Sequence, residues 1–404
     1  MNQSFLSKIK RINDQRAAKP ILEQVLSIES SRIRVAHFYS STGIYGAERW
    51  AITFLKYINL RRVNPILITI GSKPGARLLH EHIVRDGHEA FHIDVPGRLS
   101  PKGIMQLRRF LAERGIQVLH THGFKADVLG YFATRGVRVR LVSTLHGWSV
   151  VEGTRIAIYE SIARVFLRGF ERLYPLSTAL YEDLLQRGYK KDRIRLIRNA
   201  VDIAGFDSLF QHRKNRLANE TFKILFAGRL CKPKGISFLL EAMAKASFKC
   251  NVELHIVGDG PDRAKLEQLA RDLDIEGKVR FHGVTKDIGA FFAQSDVLVL
   301  PSYCKGAQCE GIPRIIMESF SAGTVVIGSS VPGIEELISH EKTGLLVPIG
   351  DSDGLARALE RLASDPELSK QMVIRARNHI EALFSAARLV NEMEEEYEKL
   401  VTCV

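Results

Sequence analysis

Short apolar runs alternate with helix-like segments along this chain, and the alternation occurs in two separate series. In the first series, apolar runs between residues 33 and 145 are separated by stretches whose apolar residues recur at helical spacing. A second series of the same kind lies between residues 223 and 364. Such alternation is typical of parallel sheets with helices on both faces. The predicted fold class is therefore α/β, with two doubly wound domains that face each other across a cleft.

The two series also give the domain boundaries. An N-terminal domain spans residues 32–198 and a C-terminal domain spans residues 199–380, a division that suits a chain of 404 residues. Residues 381–404 form a C-terminal helix that can pack back on the first domain. Residues 1–31 are an extension before the first series, and its basic amphipathic start either lies on a membrane or packs on the protein surface.

The net charge of +13 is unevenly distributed along the chain. Residues 1–200 contain 33 Lys and Arg against 16 Asp and Glu, a net charge of +17, whereas residues 201–404 carry −4. A basic half attracts a membrane surface, a phosphorylated acceptor or nucleic acid, although a solvated basic face explains it equally well. The sequence has no finger, RNP-type or basic-zipper pattern, so nucleic acid is not expected as a partner. Peripheral contact with an anionic membrane stays open as an option.

The apolar pattern and the cysteines indicate the compartment. No run approaches the roughly 20 apolar residues of a spanning helix, and the first residues lack the apolar core of a signal peptide. The five cysteines are few and odd in number, which suits a reducing environment. We expect a cytoplasmic protein, with attachment to the inner face of the cell membrane as the alternative. Cys304 and Cys309 lack partners at zinc-like spacing, so no metal site is expected.

Two carboxylates lie eight positions apart around a predicted loop-to-helix junction in the second series. Glu310 precedes the junction, Pro313 suits the first helical position, and Glu318 falls in the second turn. Gly323 is a plausible C-cap, so the pattern predicts a helix over 313–322. The free N–H groups and positive dipole at this helix start suit an anion or the hydroxyls of a polyol.

Other strand ends of the second series carry cations and glycines. Arg229 and Lys234 follow the first strand, where a pair of cations can clamp a diphosphate. A solvated basic loop is the alternative. Gly258 lies in a Gly-Asp-Gly-Pro turn, which by itself indicates only tight geometry. The turn has neither the Lys and Ser/Thr of a phosphate-binding Walker loop nor the full dinucleotide-binding pattern, which argues against a dehydrogenase.

The strand ends of the first series carry glycines and histidines. Gly43 and Gly46 precede a helix and permit a backbone loop to approach a phosphate closely. His120 and His122 end one strand, and His146 follows the next. Single histidines are usually structural, but three at neighbouring strand ends favour a polar site at the cleft.

In these residues and motifs the chain resembles the retaining glycosyltransferases of family 4, which have the GT-B fold of two Rossmann-like domains. The resemblance runs from about residue 33 to 365 and depends on several motifs in a fixed order. They are Gly-Ala-Glu-Arg49, Asn199-Ala-Val-Asp202, Gly228-Arg-x4-Lys-Gly235, Gly258-Asp-Gly-Pro261, Phe281-His-Gly283, Leu300-Pro-Ser302, the Glu310–Glu318 segment, Pro332-Gly-Ile-Glu-Glu-Leu337 and Thr343-Gly-Leu-Leu-Val-Pro348.

The resemblance implies roles for the site residues. Arg229 and Lys234 would bind the donor diphosphate, Glu318 the ribose and Glu310 the donor sugar. His122 would contact the acceptor or sugar from the cleft, with His120 and His146 as further acceptor candidates. The remaining donor-binding positions implied are Gly43, Gly46, Gly258, Val284, Ile312, Pro313 and Arg314.

The resemblance also implies the reaction. A hexose would move from a UDP- or GDP-sugar to a hydroxyl of a glycan or lipid-linked acceptor, in surface polysaccharide or lipopolysaccharide biosynthesis. No cofactor or bound metal is implied, because cations and a helix N-terminus replace the metal. Two alternatives are a non-catalytic subunit that binds the sugar nucleotide and a GT-B-like epimerase. The loop 301–310 is longer than the family pattern, and Glu336 rather than Glu335 matches the acid of the later motif.

Overall fold

Two six-stranded parallel sheets with helices on both faces form the framework of the protein. The computed structural model describes residues 32–40, 43–44, 46–72, 74–95, 100–147, 154–214, 221–303 and 311–402. The predicted extension 1–31, Glu310 and the segment from Cys304 to Cys309 lie outside these residues. The strand order of both sheets confirms the predicted pair of doubly wound domains.

The first domain has strand order β3-β2-β1-β4-β5-β6. Its strands and helices are β1 (Ile33–Tyr39), α1 (Gly46–Tyr57), β2 (Val63–Ile70), α2 (Pro74–Arg85), β3 (Ala90–Ile93), α3 (Pro101–Glu113), β4 (Val118–His122), α4 (Phe124–Ala133), β5 (Arg140–Leu145), α5 (Thr154–Leu167), β6 (Arg172–Pro175) and α6 (Thr178–Gln186). The last strand was not predicted, since only two apolar residues lie between its Arg172 and its Pro175.

The second domain repeats this order, with β7 in the position of β1. Its sheet runs β12-β11-β10-β7-β8-β9. Its elements are α7 (Asp207–Lys214), β7 (Thr221–Ala227), α8 (Ile236–Lys245), β8 (Asn251–Val257), α9 (Arg263–Asp272), β9 (Val279–Gly283), α10 (Gly289–Gln294), β10 (Val297–Leu300), α11 (Arg314–Ala322), β11 (Val325–Ser329), α12 (Pro332–Glu335), β12 (Leu345–Val347), α13 (Ser352–Ser364) and α14 (Pro366–Phe384).

Buried apolar strands explain why each sheet is covered on both faces. In β10 and β11 every residue is buried, as expected for strands between two helical layers. The central strand β1 alternates its side chains between two separate clusters on opposite faces of the first sheet. The second domain holds one large core of its own.

The chain crosses between the domains twice, and the two crossings lie side by side. The Val201 N–H donates to the Phe384 carbonyl at 3.0 Å, and the Ala386 N–H donates to the Val201 carbonyl at 3.1 Å. The second crossing leads into the last helix, α15 (Ala386–Thr402). This helix buries Leu389 and Tyr397 in the core of the first domain, so residues from both ends of the chain complete one sheet face.

Within the described residues, no helix combines the length and the apolar character needed to cross a bilayer.

Candidate active site

Loops at the carboxyl edge of the second sheet pack backbone against backbone. The Leu230 N–H, after β7, donates to the Asp259 carbonyl after β8 at 3.0 Å. The Tyr303 N–H, after β10, donates to the Pro233 carbonyl at 3.0 Å. The loops after three strands therefore form one continuous edge, where open α/β sheets bind their ligands.

Two glycines permit this close packing. A Cβ atom on Gly258 would lie 1.9 Å from the Gly228 carbonyl oxygen, and one on Gly235 would lie 1.9 Å from the Pro301 carbonyl oxygen. Both glycines also have positive φ, +134° and +65°, which other residues rarely adopt. Gly258 is therefore required by backbone geometry, independently of any ligand.

The predicted diphosphate-binding cations lie on this edge. Arg229 is exposed, and Lys234 is half-buried at the end of a 3-10 turn, Lys232–Lys234. Val284 directly follows β9 and is 81% exposed, an unusual value for a large apolar side chain. The parallel sheet thus brings Arg229, Lys234, Gly258 and Val284 to the ends of neighbouring strands.

Helix α11 continues this edge and carries Glu318. The helix begins at Arg314, one residue later than predicted, because Pro313 has extended backbone angles and acts as the N-cap residue. Gly323 ends the helix with a φ of +83°, as predicted. Glu318 is only 6% exposed, and its Oε1 accepts a hydrogen bond from Arg314 Nε at 3.2 Å. Of the two acids, only Glu318 lies in the described part of the chain, because Glu310 is outside it.

Contacts across the cleft join α11 to α1 of the first domain. Arg314 Nη2 donates to Thr53 Oγ1 at 3.2 Å. Arg49 Nη1 lies 3.9 Å from Glu318 Oε1. Because the acid is nearly buried and two guanidinium groups face one of its oxygens, its charge is compensated from both domains.

The residues before α11 also touch the first domain and the crossing segment. Asn199 Nδ2 donates to the Ile312 carbonyl at 3.3 Å. A Cβ atom on Gly311 would lie 3.5 Å from the His146 carbonyl oxygen. The first-domain strand that leads to His146 therefore ends next to the start of α11.

The first-domain glycines lie at the start of α1 and in the bend before it. Gly43 is buried in a bend, and Gly46 is the first residue of α1. A Cβ atom on Gly46 would meet nothing within 4 Å. Arg49 and Thr53, further along α1, make the contacts with α11, so the start of α1 lies at the cleft.

A continuous path of hydrogen bonds connects four histidines behind the cleft, between the first sheet and helices α1 and α15. His37 and His120 are neighbours in the parallel register of β1 and β4, and Tyr397 reaches them from α15. The distances along the path are 3.1 Å from His146 Nε2 to His122 Nδ1, 3.2 Å from His122 Nε2 to His37 Nδ1, 3.3 Å from His37 Nε2 to Tyr397 Oη, 2.6 Å from Tyr397 Oη to His120 Nδ1, and 2.7 Å from His120 Nε2 to Thr144 Oγ1.

Burial keeps these imidazoles neutral. Desolvation lowers the pKa of His37 to about 3 and that of His146 to about 4. Desolvation, with repulsion from the neighbouring rings, holds the pKa values of His120 and His122 well below their usual range. His120 is fully buried and both of its ring nitrogens are occupied, so in this structure it faces no ligand. His146 is half-buried and lies nearest to the cleft.

Three of these rings are also close enough to share a metal ion. The nitrogens of His37, His120 and His122 lie within 4.8 Å of one another, and neutral imidazole is a good ligand for several metals. Each of their six ring nitrogens nevertheless has a hydrogen-bond partner in this structure. A bound metal would have to replace some of these hydrogen bonds.

The sequence prediction missed His37 and Tyr397. His37 lies inside an apolar strand rather than at its end, and only the register of β1 against β4 places it beside His120. Tyr397 lies 277 positions from His120, and no local pattern marks it. A signal for His37 was the one imidazole of the central strand, between the apolar residues Ala36 and Phe38.

Comparison with known families assigns both domains. The family of glycosyl transferases group 1 matches residues 207–379, and the glycosyl transferase 4-like domain matches residues 57–200. The chain is 34% identical over 333 residues to the lipopolysaccharide core biosynthesis glycosyltransferase LpsE of Rhizobium meliloti, covering 76% of this chain and 95% of the relative. It is 27% identical over 329 residues to the amylovoran biosynthesis glycosyltransferase AmsK of Erwinia amylovora, covering 77% and 78%.

Solved structures support the same fold. The structure of Anabaena Alr3699/HepE in complex with UDP has a TM-score of 0.77 and 21% identity, covering 91% of this chain and all of that one. A complex of the same protein with UDP-glucose gives a TM-score of 0.76 at 20% identity, with the same coverage. At this level of identity the likeness shows the fold, which confirms the GT-B arrangement of two facing domains.

Proposed function

The chain belongs to the glycosyl transferases of group 1, and on that premise we propose that it moves a hexose from a UDP- or GDP-sugar to a hydroxyl of a glycan or lipid-linked acceptor, with retained configuration. The relatives named for lipopolysaccharide core and amylovoran biosynthesis support a place in surface polysaccharide assembly. The neighbour that binds UDP and UDP-glucose supports a nucleotide-sugar donor.

One observation carries the proposal: the start of α11 meets α1 and His146 across the cleft. The contact between Arg314 and Thr53 and the 3.9 Å approach of Arg49 to Glu318 bring both domains to the same helix start. A ligand at that point would bind the second domain with its nucleotide and would place its sugar between the two domains. An acceptor entering from the first domain would then be close to the sugar.

The proposed role of the cations is to stabilise the leaving group. As the bond from the sugar to the nucleotide diphosphate breaks, negative charge builds on the diphosphate. Arg229, Lys234 and the N-terminal end of α11 would stabilise that charge. The acceptor hydroxyl would attack the same face of the sugar and lose its proton to the leaving phosphate. Closure of the domains would exclude water and limit hydrolysis of the donor.

The proposed role of Glu318 is to hold the ribose. Its Oε1 accepts from Arg314, and this leaves Oε2 for a ribose hydroxyl. Glu310, with the backbone near Ile312 and Pro313, is proposed to hold the donor sugar. No resident metal is proposed, and transfer should persist after treatment with a chelator.

The test begins with donor binding. Thermal melts of the full chain with UDP-, GDP- and ADP-sugars should show stabilisation by the donor, because a ligand that binds the folded state shifts its unfolding. The variant carrying both Arg229→Ala and Lys234→Ala should lose this stabilisation and transfer. Lys232→Ala, in the same turn but exposed, is the matched control. Unchanged transfer by the double variant would show that Arg229 and Lys234 do not bind the donor diphosphate.

The same assays separate the alternatives. Donor binding without transfer to any acceptor in a glycan and lipid-linked panel would favour a non-catalytic subunit. Conversion of the sugar nucleotide without an acceptor would favour an epimerase. An inverted anomeric configuration in the product, measured by proton NMR coupling constants, would contradict retention.

A further inference from the structure

Among the residues that the structure describes, the hydrogen-bonded path behind the cleft has no branch, and this limits where its protons can lie. The path runs through His146, His122, His37, Tyr397 and His120 in that order and ends at Thr144 Oγ1. Each neutral imidazole has one N–H and one bare nitrogen. Within the path, each ring must therefore donate on one side and accept on the other.

The tyrosine hydroxyl at the centre of the path has one proton to donate. If Tyr397 donates to His120 Nδ1, it accepts from His37 Nε2–H. His37 Nδ1 must then accept from His122 Nε2–H, and His122 Nδ1 from His146 Nε2–H. Every ring, including His120, which donates from Nε2 to Thr144, then carries its proton on Nε2.

The opposite orientation of the hydroxyl reverses every bond. If Tyr397 donates to His37 Nε2, then His37, His122 and His120 carry their protons on Nδ1. His146 accepts at Nε2, so its proton also lies on Nδ1. Any mixed arrangement leaves at least one buried contact in which two donors or two acceptors face each other, which is costly in a buried environment.

We propose that the four histidines share a single tautomer and that Tyr397, on the last helix, couples them. The consequence at the cleft concerns His146 Nδ1, the ring nitrogen at the free end of the path. It accepts a hydrogen bond when the shared tautomer is Nε2–H and donates one when it is Nδ1–H. Tyr397 is thus a positioning residue, whose hydroxyl acts on the cleft through His37 and His122.

The assignment of the shared tautomer rests on the hydrogen bonds alone, whereas its effect on transfer rests on the proposed function. His146 lies beside Gly311 at the start of α11, where the donor sugar is proposed to bind. A ring held as an acceptor there would orient a sugar or acceptor hydroxyl, and a ring held as a donor would orient an oxygen. Loss of the coupling should therefore lower turnover without changing donor affinity.

The first experiment measures the tautomers directly. Long-range proton–nitrogen NMR spectra of the full chain labelled with ¹⁵N-histidine distinguish the two neutral tautomers, and single His→Gln variants assign the signals. We expect His37, His120, His122 and His146 to show one common tautomer. Opposite tautomers for His37 and His120 in the wild-type protein would overturn the proposal. Stoichiometric metal bound to the purified chain, measured by elemental analysis, would also overturn it.

The second experiment uses Tyr397→Phe, which keeps the ring and removes the hydroxyl. The tautomer of His120 should become independent of that of His37, and kcat should fall at least about tenfold while KM for the donor stays within about twofold. Tyr174→Phe is the matched control, because Tyr174 is fully buried 5.6 Å from the His120 ring and its hydroxyl has no partner among the described residues. It should change neither measurement.

The outcomes separate this inference from the proposed function. If no sugar nucleotide binds, the proposed function fails while the wild-type NMR spectrum still decides the shared tautomer. If the donor binds and Tyr397→Phe transfers at the wild-type rate, the effect on the cleft is refuted. If Tyr397→Phe does not fold, as judged by its melting curve, the wild-type tautomers decide the proposal.

Discussion

Glu318→Gln isolates the charge of a nearly buried acid that both domains contact. The substitution keeps the size of the side chain and one oxygen that can accept a hydrogen bond. Oε1 of the wild-type acid is bound by Arg314 at 3.2 Å, and Oε2 is left for a ribose hydroxyl under the proposed function. Removing the charge should therefore weaken the contact with the nucleotide more than it disturbs the helix.

The magnitude follows from the difference between two kinds of hydrogen bond. A hydrogen bond to a charged acceptor contributes about 1.5–3 kcal/mol, and one between neutral groups about 0.5–1.5 kcal/mol. The difference of about 1–1.5 kcal/mol corresponds to roughly a tenfold weaker Kd. Stability should change little, because Arg314 keeps its hydrogen bonds to the Ala200 carbonyl and to Thr53.

Titration calorimetry with UDP and with 3′-deoxy-UDP measures the change in Kd and shows whether it arises at the ribose hydroxyl. If GDP is the nucleotide bound, GDP and its 3′-deoxy form replace them. The wild type should bind the deoxy compound about tenfold more weakly than the parent nucleotide, whereas Glu318→Gln should distinguish the two much less. Glu335→Gln, at the exposed acid that ends α12, should match the wild type. Additive losses from the substitution and the missing hydroxyl would refute the contact, and so would an unchanged Kd.

Further substitutions test the loop geometry and a buried acid. Gly258→Ala should destabilise the fold by about 3–5 kcal/mol, because the new Cβ would overlap the Gly228 carbonyl and the positive φ would be strained. Gly277→Ala is the control and should melt at the wild-type temperature, because its Cβ would meet nothing within 4 Å. Equal melting temperatures for the two variants would contradict the close packing at Gly258. Gly46→Ala also meets nothing within 4 Å, so it should fold normally yet bind the nucleotide roughly tenfold more weakly if a phosphate approaches α1; unchanged affinity would remove Gly46 from the site. Burial raises the pKa of Asp127 to about 7 in the folded protein. The stability that comes from its neutral form is therefore fully present below the pKa of this acid in the unfolded chain, and it is lost as the pH rises through about 7. From pH 5 to pH 8, the wild type should lose about 2–3 kcal/mol of stability relative to Asp127→Asn in denaturant titrations. A difference that does not vary with pH would count against a neutral buried acid.

The sequence was sufficient for the fold because every long strand corresponds to an apolar run that helices separate from the next one. Both doubly wound sheets are confirmed, as is the helix that ends at Gly323. The short strand β6 was missed because it begins with Arg172 and ends with Pro175, so only two apolar residues mark it. The prediction of strands was therefore weakest where a strand has few apolar residues.

The site was only partly predictable, because its geometry depends on contacts between distant segments. The strand-end position of Arg229 and Lys234 follows from local patterns, but their diphosphate role stays a prediction. The strand-end position of His120 was predicted, yet its burial depends on a helix that lies more than 260 positions later. The amphipathic spacing of that helix indicates that it buries one face, but not which domain receives it.

The position of α15 has a consequence for the synthesis of the protein on the ribosome. Leu389 and Tyr397 fill the core of the domain that is translated first, and they emerge only after the whole second domain has been made. Until then, the face of the first sheet that carries His37 and His120 is covered by α1 but not by α15. The first domain should thus complete its folding last, and cutting the gene at residue 200 would yield two pieces, neither of which holds a finished N-terminal core.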